Sequence, residues 1–303
     1  MHWYHGNPLS SITSSSSSST PSQNYILSCS ADKTCILWDT LTLKKIKKFT
    51  GHTGIINTLS PFNFSHTFIS GSDDKTIRLW DLRESETNHK RTITSSNAIF
   101  TDNYPVLSVV ASNNPEDEYT LFSGGIDGII KQWDIRKPNQ GPTLTYVGHQ
   151  DSITSLTINP SNNNQLMSIS YDNTIRIWNT KPYVPNNQRL INIYTGITNN
   201  YEMNLLKGNW NYKNTYIGCG SSDRSVYIYN IDNHSLQYKL GGHNGVVTCI
   251  AFHPYENIIA SGSTDKTICI GVLEEEEIDH ANVEEVVDNN TNLPEGITIG
   301  EDF

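Results

Sequence analysis

The stretch DKTIRLW, Asp74 to Trp80, is one of six segments that share a spacing along this 303-residue chain. An aspartate leads and an aromatic residue follows six positions later in DKTCILW (Asp32 to Trp38), DGIIKQW (Asp127 to Trp133), DNTIRIW (Asp172 to Trp178) and DRSVYIY (Asp223 to Tyr229). A sixth copy, DKTICIG (Asp265 to Gly271), ends in glycine instead. Successive aspartates stand 42, 53, 45, 51 and 42 residues apart. A four-stranded propeller blade takes about 40 to 45 residues, so the intervals fit blades with loop insertions. β-Branched and aromatic residues alternate in short runs bounded by Ser, Gly, Asn and Asp, a pattern of strands and turns rather than of helical repeats.

A Gly-His pair precedes three of the aspartates, at Gly51-His52, Gly148-His149 and Gly242-His243, with His-to-Asp separations of 22, 23 and 22 residues. Trp-Asp occurs at Trp38-Asp39, Trp80-Asp81 and Trp133-Asp134. With this registered set the chain resembles the WD40-repeat family. The resemblance implies an all-β propeller of a seven-bladed architecture, with six repeats recognisable in this sequence. It also implies a buried hydrogen-bond chain in each blade, from Trp through Ser or Thr and His to Asp. Matching positions are Trp80, Ser70 (or Ser72), His52 and Asp74 in one blade, and Trp178, Ser168 (or Ser170), His149 and Asp172 in another. His243 and Asp265 match in the last blade, while Asp32, Trp38, Asp127, Trp133, Asp223 and Tyr229 hold turn and strand positions elsewhere.

Donor and acceptor capacities give such a chain its role: an indole N–H needs an acceptor, a hydroxyl relays, and an imidazole bridges to a carboxylate. Loss of one member strands a buried partner at a cost of roughly 1–3 kcal/mol. Metal or acid–base chemistry needs several such groups in one cleft, whereas this spacing distributes one set per blade. The third and fifth repeats lack Gly-His, with Asp102-Asn103-Tyr104-Pro105 and Thr195-Gly196-Ile197-Thr198 near the matching places. Tyr229 and Gly271 replace Trp in the last two repeats. These blades are expected to rely on apolar packing between sheets.

The ends put ring closure in question. Met1 begins inside what reads as an innermost strand, and the last blade runs from Ile268–Val272 into Glu274 to Glu277 with no outer strand. The sequence therefore reads as lacking an N-terminal blade, with a propeller over 1–273. Residues 12–23, including Ser14 to Ser19, read as a flexible loop insertion, and 274–303 as an acidic disordered tail. Lys44-Lys45-Ile46-Lys47-Lys48 falls where an outermost strand belongs and reads as a device against edge pairing rather than a nuclear signal.

Charge separates body from tail. The net charge is −10, with 31 acidic and 21 basic residues, and the tail from Glu274 holds eleven acids and no Lys or Arg. Twenty acids against 21 bases remain in the body, which lacks the excess of base that drives sequence-independent binding to a polyanion. No run of 18 apolar residues occurs, and the first 25 residues lack the apolar core of a secretion signal. Cys29, Cys35, Cys219, Cys249 and Cys269 form an odd set without a Cys-x-x-Cys pair and read as reduced, buried small hydrophobes.

Irregular stretches narrow the resemblance. SGGIDGIIKQWDIRK (Ser123 to Lys137), DNTIRIWNTKPYVP (Asp172 to Pro185), NYEMNLLKGNW (Asn200 to Trp210) and SSDRSVYIYN (Ser221 to Asn230) are similar to the WD40-repeat subunits of the spliceosomal U5 small nuclear ribonucleoprotein. So are AFHP (Ala251 to Pro254) and SGSTDKTICIG (Ser261 to Gly271). That similarity implies a nuclear, non-catalytic scaffold for pre-mRNA splicing, whose partners are the large U5 scaffold protein and other spliceosomal proteins, with any RNA contact indirect or weak. Arg136, Tyr183 and Tyr201 are the candidate partner contacts, since exposed aromatics and arginines anchor interfaces. Two alternatives are a substrate receptor of a cullin-type ubiquitin ligase, from Trp80-Asp81-Leu82-Arg83 and Trp133-Asp134-Ile135-Arg136, and a reader of peptides or histone tails. No phosphate loop, metal-ligand spacing or nucleophile elbow occurs, so no catalytic residue, cofactor, metal or small-molecule substrate is expected.

Overall fold

Each aspartate of the repeat organises its own turn. Asp74 Oδ1 accepts from the backbone N–H of Thr76 at 3.0 Å and from its hydroxyl at 2.6 Å. Asp32, Asp172 and Asp265 hold Thr34, Thr174 and Thr267 in the same way. The intervening residue is left-handed in all six turns: φ is 67° at Lys33, 66° at Lys75, 69° at Gly128, 63° at Asn173, 69° at Arg224 and 67° at Lys266. A side chain that bonds its own backbone two residues on stabilises this otherwise disfavoured conformation.

In the computed structural model the described residues are 2–4, 25–62, 66–83, 92–93, 98–112 and 119–273. The serine insertion and the tail lie outside them. The chain divides into Met1–Val272 and Leu273–Phe303, and all strands belong to the first unit. In chain order they are β1 (His2–Tyr4), β2 (Tyr25–Cys29), β3 (Thr34–Asp39), β4 (Lys45–Thr50), β5 (Ile56–Pro61), β6 (Thr67–Ser72), β7 (Thr76–Asp81) and β8 (Thr92–Ile93). Then come β9 (Ala98–Thr101), β10 (Val106–Ala111), β11 (Thr120–Gly125), β12 (Ile130–Asp134), β13 (Leu144–Tyr146), β14 (Ile153–Ile158), β15 (Gln165–Ser170) and β16 (Thr174–Asn179). The remainder are β17 (Leu190–Thr195), β18 (Gly208–Trp210), β19 (Tyr216–Gly220), β20 (Val226–Asn230), β21 (Leu236–Leu240), β22 (Val247–Phe252), β23 (Ile258–Ser263) and β24 (Ile268–Val272).

Six sheets follow one another: β1-β2-β3-β4-β8, β5-β6-β7-β9, β10-β11-β12-β13, β14-β15-β16-β17, β18-β19-β20-β21 and β22-β23-β24. This is the WD40 propeller architecture, and among the described residues no strand pairing joins the sixth sheet to the first. Lys45 to Lys48 lie on the fourth strand, where a sheet edge is expected, and β8 pairs in parallel outside it only at Lys48 and Phe49. Lys47 donates to the carbonyl of Leu82 at 2.6 Å.

Successive strand residues face opposite sides of a sheet, so one strand serves two interfaces. On β7, Ile77 and Leu79 pack with Val106, Val109, Leu121 and Trp133 of the third sheet. Trp80, on the opposite side of the same strand, packs with Leu27, Leu37 and Phe49 of the first. Trp178 meets Phe122, Ile130 and Tyr146 in the same fashion, and Tyr229 takes the equivalent place against Ile177 and Tyr194. Double-sided burial explains the near-continuous apolar or small character of the second strands, such as TFISGS in β6.

Close approach of the fifth and sixth sheets depends on Gly220. A Cβ there would stand 2.1 Å from the Val247 carbonyl oxygen and 2.8 Å from its carbon, both backbone atoms that cannot rotate away. Gly220→Ala is expected to lower stability by about 2–3 kcal/mol through overpacking, read as a lower urea midpoint. At Gly241, where nothing lies within 4 Å of the place a Cβ would take, the same change should leave that midpoint nearly unmoved.

Candidate functional site

The polar clusters begin with the second sheet. Trp80 Nε1–H donates to Ser70 Oγ at 2.8 Å, Ser70 Oγ meets His52 Nε2 at 2.7 Å, and His52 Nδ1 meets Asp74 Oδ2 at 2.8 Å. The Asp74 carboxylate can only accept, so Nδ1–H donates to it, and the Ser70 hydroxyl, which accepts from the indole, is placed to donate to Nε2. The relay therefore contains a neutral imidazole. Burial holds His52 below its ordinary pKa despite the Asp74 carboxylate beside it. Burial also acts to raise the Asp74 carboxyl, yet hydrogen bonds from Thr76, Thr53 and His52 outweigh it and keep the group well below the usual carboxylate range.

The fourth sheet repeats the set: Trp178 Nε1 to Ser168 Oγ 2.8 Å, Ser168 Oγ to His149 Nε2 2.6 Å, His149 Nδ1 to Asp172 Oδ2 2.8 Å. In the sixth sheet His243 Nε2 lies 2.8 Å from Ser261 Oγ, and its Nδ1 lies 3.3 Å from Asp265 Oδ2 and 3.1 Å from Thr267 Oγ1. Glycine at 271 supplies no indole to that cluster. Trp38 and Trp133 each donate to a serine, Ser28 and Ser123, at 2.8 Å.

The third and fifth sheets correct the expectation of mere apolar packing. Lys131, buried on β12, sends Nζ to Asp102 Oδ1 at 2.5 Å and to Asp127 Oδ2 at 2.6 Å. Burial disfavours its charge, but the two carboxylates more than compensate and raise its pKa. In the fifth sheet Tyr227 donates its hydroxyl to Asp223 Oδ2 at 2.6 Å, Lys239 Nζ joins the same oxygen at 2.8 Å, and the ammonium lies 4.9 Å from the Tyr227 ring centre. Lys131 and Tyr227 occupy the same repeat position, four residues after the turn aspartate. In both of these sheets a long side chain from the third strand reaches the turn aspartate; in the fourth sheet Arg176, at the same position, also lies 3.8 Å from Asp172, beside His149.

The cysteine reading also needs correction. All five are unpaired, but only Cys35 and Cys219 are buried; Cys29 is half-buried, and Cys249 and Cys269 are exposed. Burial raises the thiol pKa of Cys35 and of Cys219. Cys269 and Cys249 lie on the three-stranded sixth sheet, where Ile268, Ile270 and Val272 are likewise exposed.

The three candidate contacts do not converge. Arg136 is fastened to Asp134 by Nε at 2.9 Å and Nη2 at 2.8 Å and lies 4.8 Å from the Tyr119 ring centre. Arg83 binds Asp81 in the same two-pronged way. Tyr183 is in the loop before β17 and Tyr201 in the loop after it, at opposite ends of that strand. Tyr183 is 82% exposed and Tyr201 fully so. A groove of about 400 Å³ opens between the third and fourth sheets, with Tyr146, Val147, Trp178, Arg189 and Leu190 among its walls. Neither a carboxylate nor an imidazole lines it. Among the described residues, no three His, Cys, Asp or Glu side chains gather as a metal site.

Sheet succession, capped turns and Trp-to-Asp relays define a class, and the chain belongs to the WD40-repeat family: the family model described as WD domain, G-beta repeat matches residues 3–39, 43–81, 90–134, 140–179 and 234–270. The stretch left unmatched contains β18, β19 and β20, where Tyr227 and Tyr229 replace the usual residues. Among curated proteins, the chain is 40% identical over 251 residues to the U5 small nuclear ribonucleoprotein 40 kDa protein of Dictyostelium discoideum, covering 82% of this chain and 66% of that protein. It is 37% identical over 252 residues to pre-mRNA-splicing factor cwf17 of Schizosaccharomyces pombe, covering 82% and 68%. The human U5 small nuclear ribonucleoprotein 40 kDa protein is 38% identical over 237 residues, covering 78% and 62%. The chain thus spans about two thirds of the length of the curated relatives it matches.

Proposed function

We propose that this chain is a WD40 subunit of the U5 small nuclear ribonucleoprotein, a non-catalytic docking body acting in pre-mRNA splicing in the nucleus. The observation that carries this reading is the 37–40% identity, over 82% of the chain, to relatives named for U5 and for pre-mRNA splicing. Its contacts are with spliceosomal proteins, foremost the large scaffold protein of U5. The His, Ser, Asp and Trp relays are structural: each ties a turn to its sheet and leaves no reactive group free. A body built this way binds without first ordering itself, so little of the binding energy is lost to conformational entropy. The propeller comprises residues 1–273, and 274–303 form a solvating acidic tail. In the cullin-receptor alternative Arg83 and Arg136 would contact the adaptor, but both guanidiniums are already engaged by Asp81 and Asp134.

Affinity purification of the tagged chain from nuclear extract tests this directly. U5 RNA and the U5 scaffold protein should be recovered together, and their loss on raising salt should be gradual, since the near-neutral body holds protein rather than phosphate. Recovery of a cullin adaptor without U5 RNA would overturn the assignment.

A further inference from the structure

Loops joining the last strand of one sheet to the first of the next are residues 51–55, 102–105, 147–152 and 241–246, whereas the loop between β17 and β18 spans 196–207 and is twice as long as the longest of these. Its extra length is not slack. Ile197 near one end and Leu206 near the other are buried, at 2% and 0% exposure. Between them Asn199 donates its backbone N–H to Asn173 Oδ1 at 2.9 Å and its side-chain amide to the same oxygen at 3.1 Å and to the Ser170 carbonyl at 3.3 Å. The Tyr171 hydroxyl donates to the Met203 carbonyl. Asn200 accepts from the N–H groups of Glu202 and Met203, each at 3.2 Å, and Met203 itself is left-handed at φ 48°.

This network holds two apolar side chains away from the protein. Tyr201 is 105% exposed and Met203 64% exposed, with the exposed carboxylate of Glu202 between them. The loop is anchored by Ile197 and Leu206 and bonded to residues 170–173, yet it holds a non-glycine residue in a disfavoured conformation and leaves its tyrosine and methionine exposed, an arrangement that its own anchoring does not require. Rigid aromatic anchors held in the bound geometry before contact are the economical way to build an interface hot spot.

We propose that the loop 196–207 is a preorganised docking knob, whose Tyr201 and Met203 enter an apolar pocket rimmed by Lys or Arg on a protein partner. The Glu202 carboxylate sets the charge of that rim, because a carboxylate carried into an interface requires a cation opposite it. The Asn204 amide holds that carboxylate at 3.0 Å beside the two apolar side chains, a placement that favours a cationic rim over a phosphate backbone. The proposal deepens the splicing reading and rests on it only for the identity of the assembly.

The test uses the full chain in nuclear extract with two readouts. In the first, Tyr201→Ala combined with Met203→Ala should reduce recovery of U5 RNA at least tenfold and Glu202→Lys should do so comparably. Tyr255→Ala, an equally exposed tyrosine in the loop between β22 and β23, should have no effect, and thermal melting should be unchanged in all variants. In the second, a photoreactive benzoyl-phenylalanine at position 201 should form one protein adduct, absent when Glu202 is Lys. Mass spectrometry should map it beside an apolar pocket bearing Lys or Arg. Undiminished U5 RNA recovery by the double variant removes the knob and keeps the splicing reading. A mapped adduct of that chemistry with no U5 RNA in the wild-type precipitate keeps the knob and removes the splicing reading. An adduct to RNA, or none at position 201, overturns the proposal.

Discussion

Lys131→Met should destabilise the protein by about 2–4 kcal/mol at neutral pH, measured as a shift in urea-unfolding free energy. The methionine fills most of the lysine's volume, so packing is nearly conserved and the effect isolates charge. What remains is Asp102 and Asp127, two carboxylates whose side chains are only 8% and 10% exposed, facing the space their shared cation occupied. Breaking a buried ion cluster by removing one partner is costly because the survivors are desolvated and repel each other. Adding Asp102→Asn and Asp127→Asn to Lys131→Met should recover more than half of the loss. No recovery in the triple variant would mean that the loss does not come from the two carboxylates left without their cation.

His52→Ala should cost a similar amount, about 2–4 kcal/mol, because Asp74 loses a donor and Ser70 its acceptor within a buried site. The relay also predicts the course of stability with pH. His52 is harder to protonate in the folded protein than in the unfolded chain, so its contribution is complete above the unfolded value of about 6.5 and declines as pH falls below it. Asp74 and Asp172 are harder to protonate when folded as well, so their contribution is complete above about pH 4 and declines as acid titrates them. Both effects have one sign: unfolding free energy should fall on acidification, first below pH 6.5 and again below pH 4. In His52→Ala the first decline should shrink, while the second persists through Asp172, which His149, Thr174 and Gln150 still hold. A first decline of full size in that variant would place the responsible group elsewhere.

The repeat was legible because its determinants are local. An aspartate that accepts from the backbone N–H two residues on makes the same turn wherever it occurs, so six copies could be counted from spacing alone. The choice between Ser70 and Ser72 was not local. Phe68 lies directly across from Trp80, which puts Ser70 about two residues' rise away, near 7 Å, and Ser72 near 13 Å, beyond the reach of an indole. Ser72 instead accepts from the Asp74 N–H at 3.2 Å, inside the turn. The clusters of the third and fifth sheets went unseen because each closes through one member distant in sequence: Asp102 is 29 residues from Lys131, and Lys239 is 16 from Asp223. Position alone did not single out Lys131 and Tyr227, since Arg78 and Arg176 fill the same fourth place after the aspartate in repeats that do carry Gly-His.

Chain order by itself determined the number of sheets, the place of each turn and the family, since strands, caps and Asx turns depend on neighbours within a few residues. Only the packed structure decided which cysteines are buried, that β8 pairs with the end of the lysine-rich β4, that Lys131 is shared by two buried carboxylates and that Tyr201 is left fully exposed. Each of those outcomes depends on groups brought together from distant parts of the chain, where desolvation and the pleat of two facing sheets, rather than local preference, select the partner.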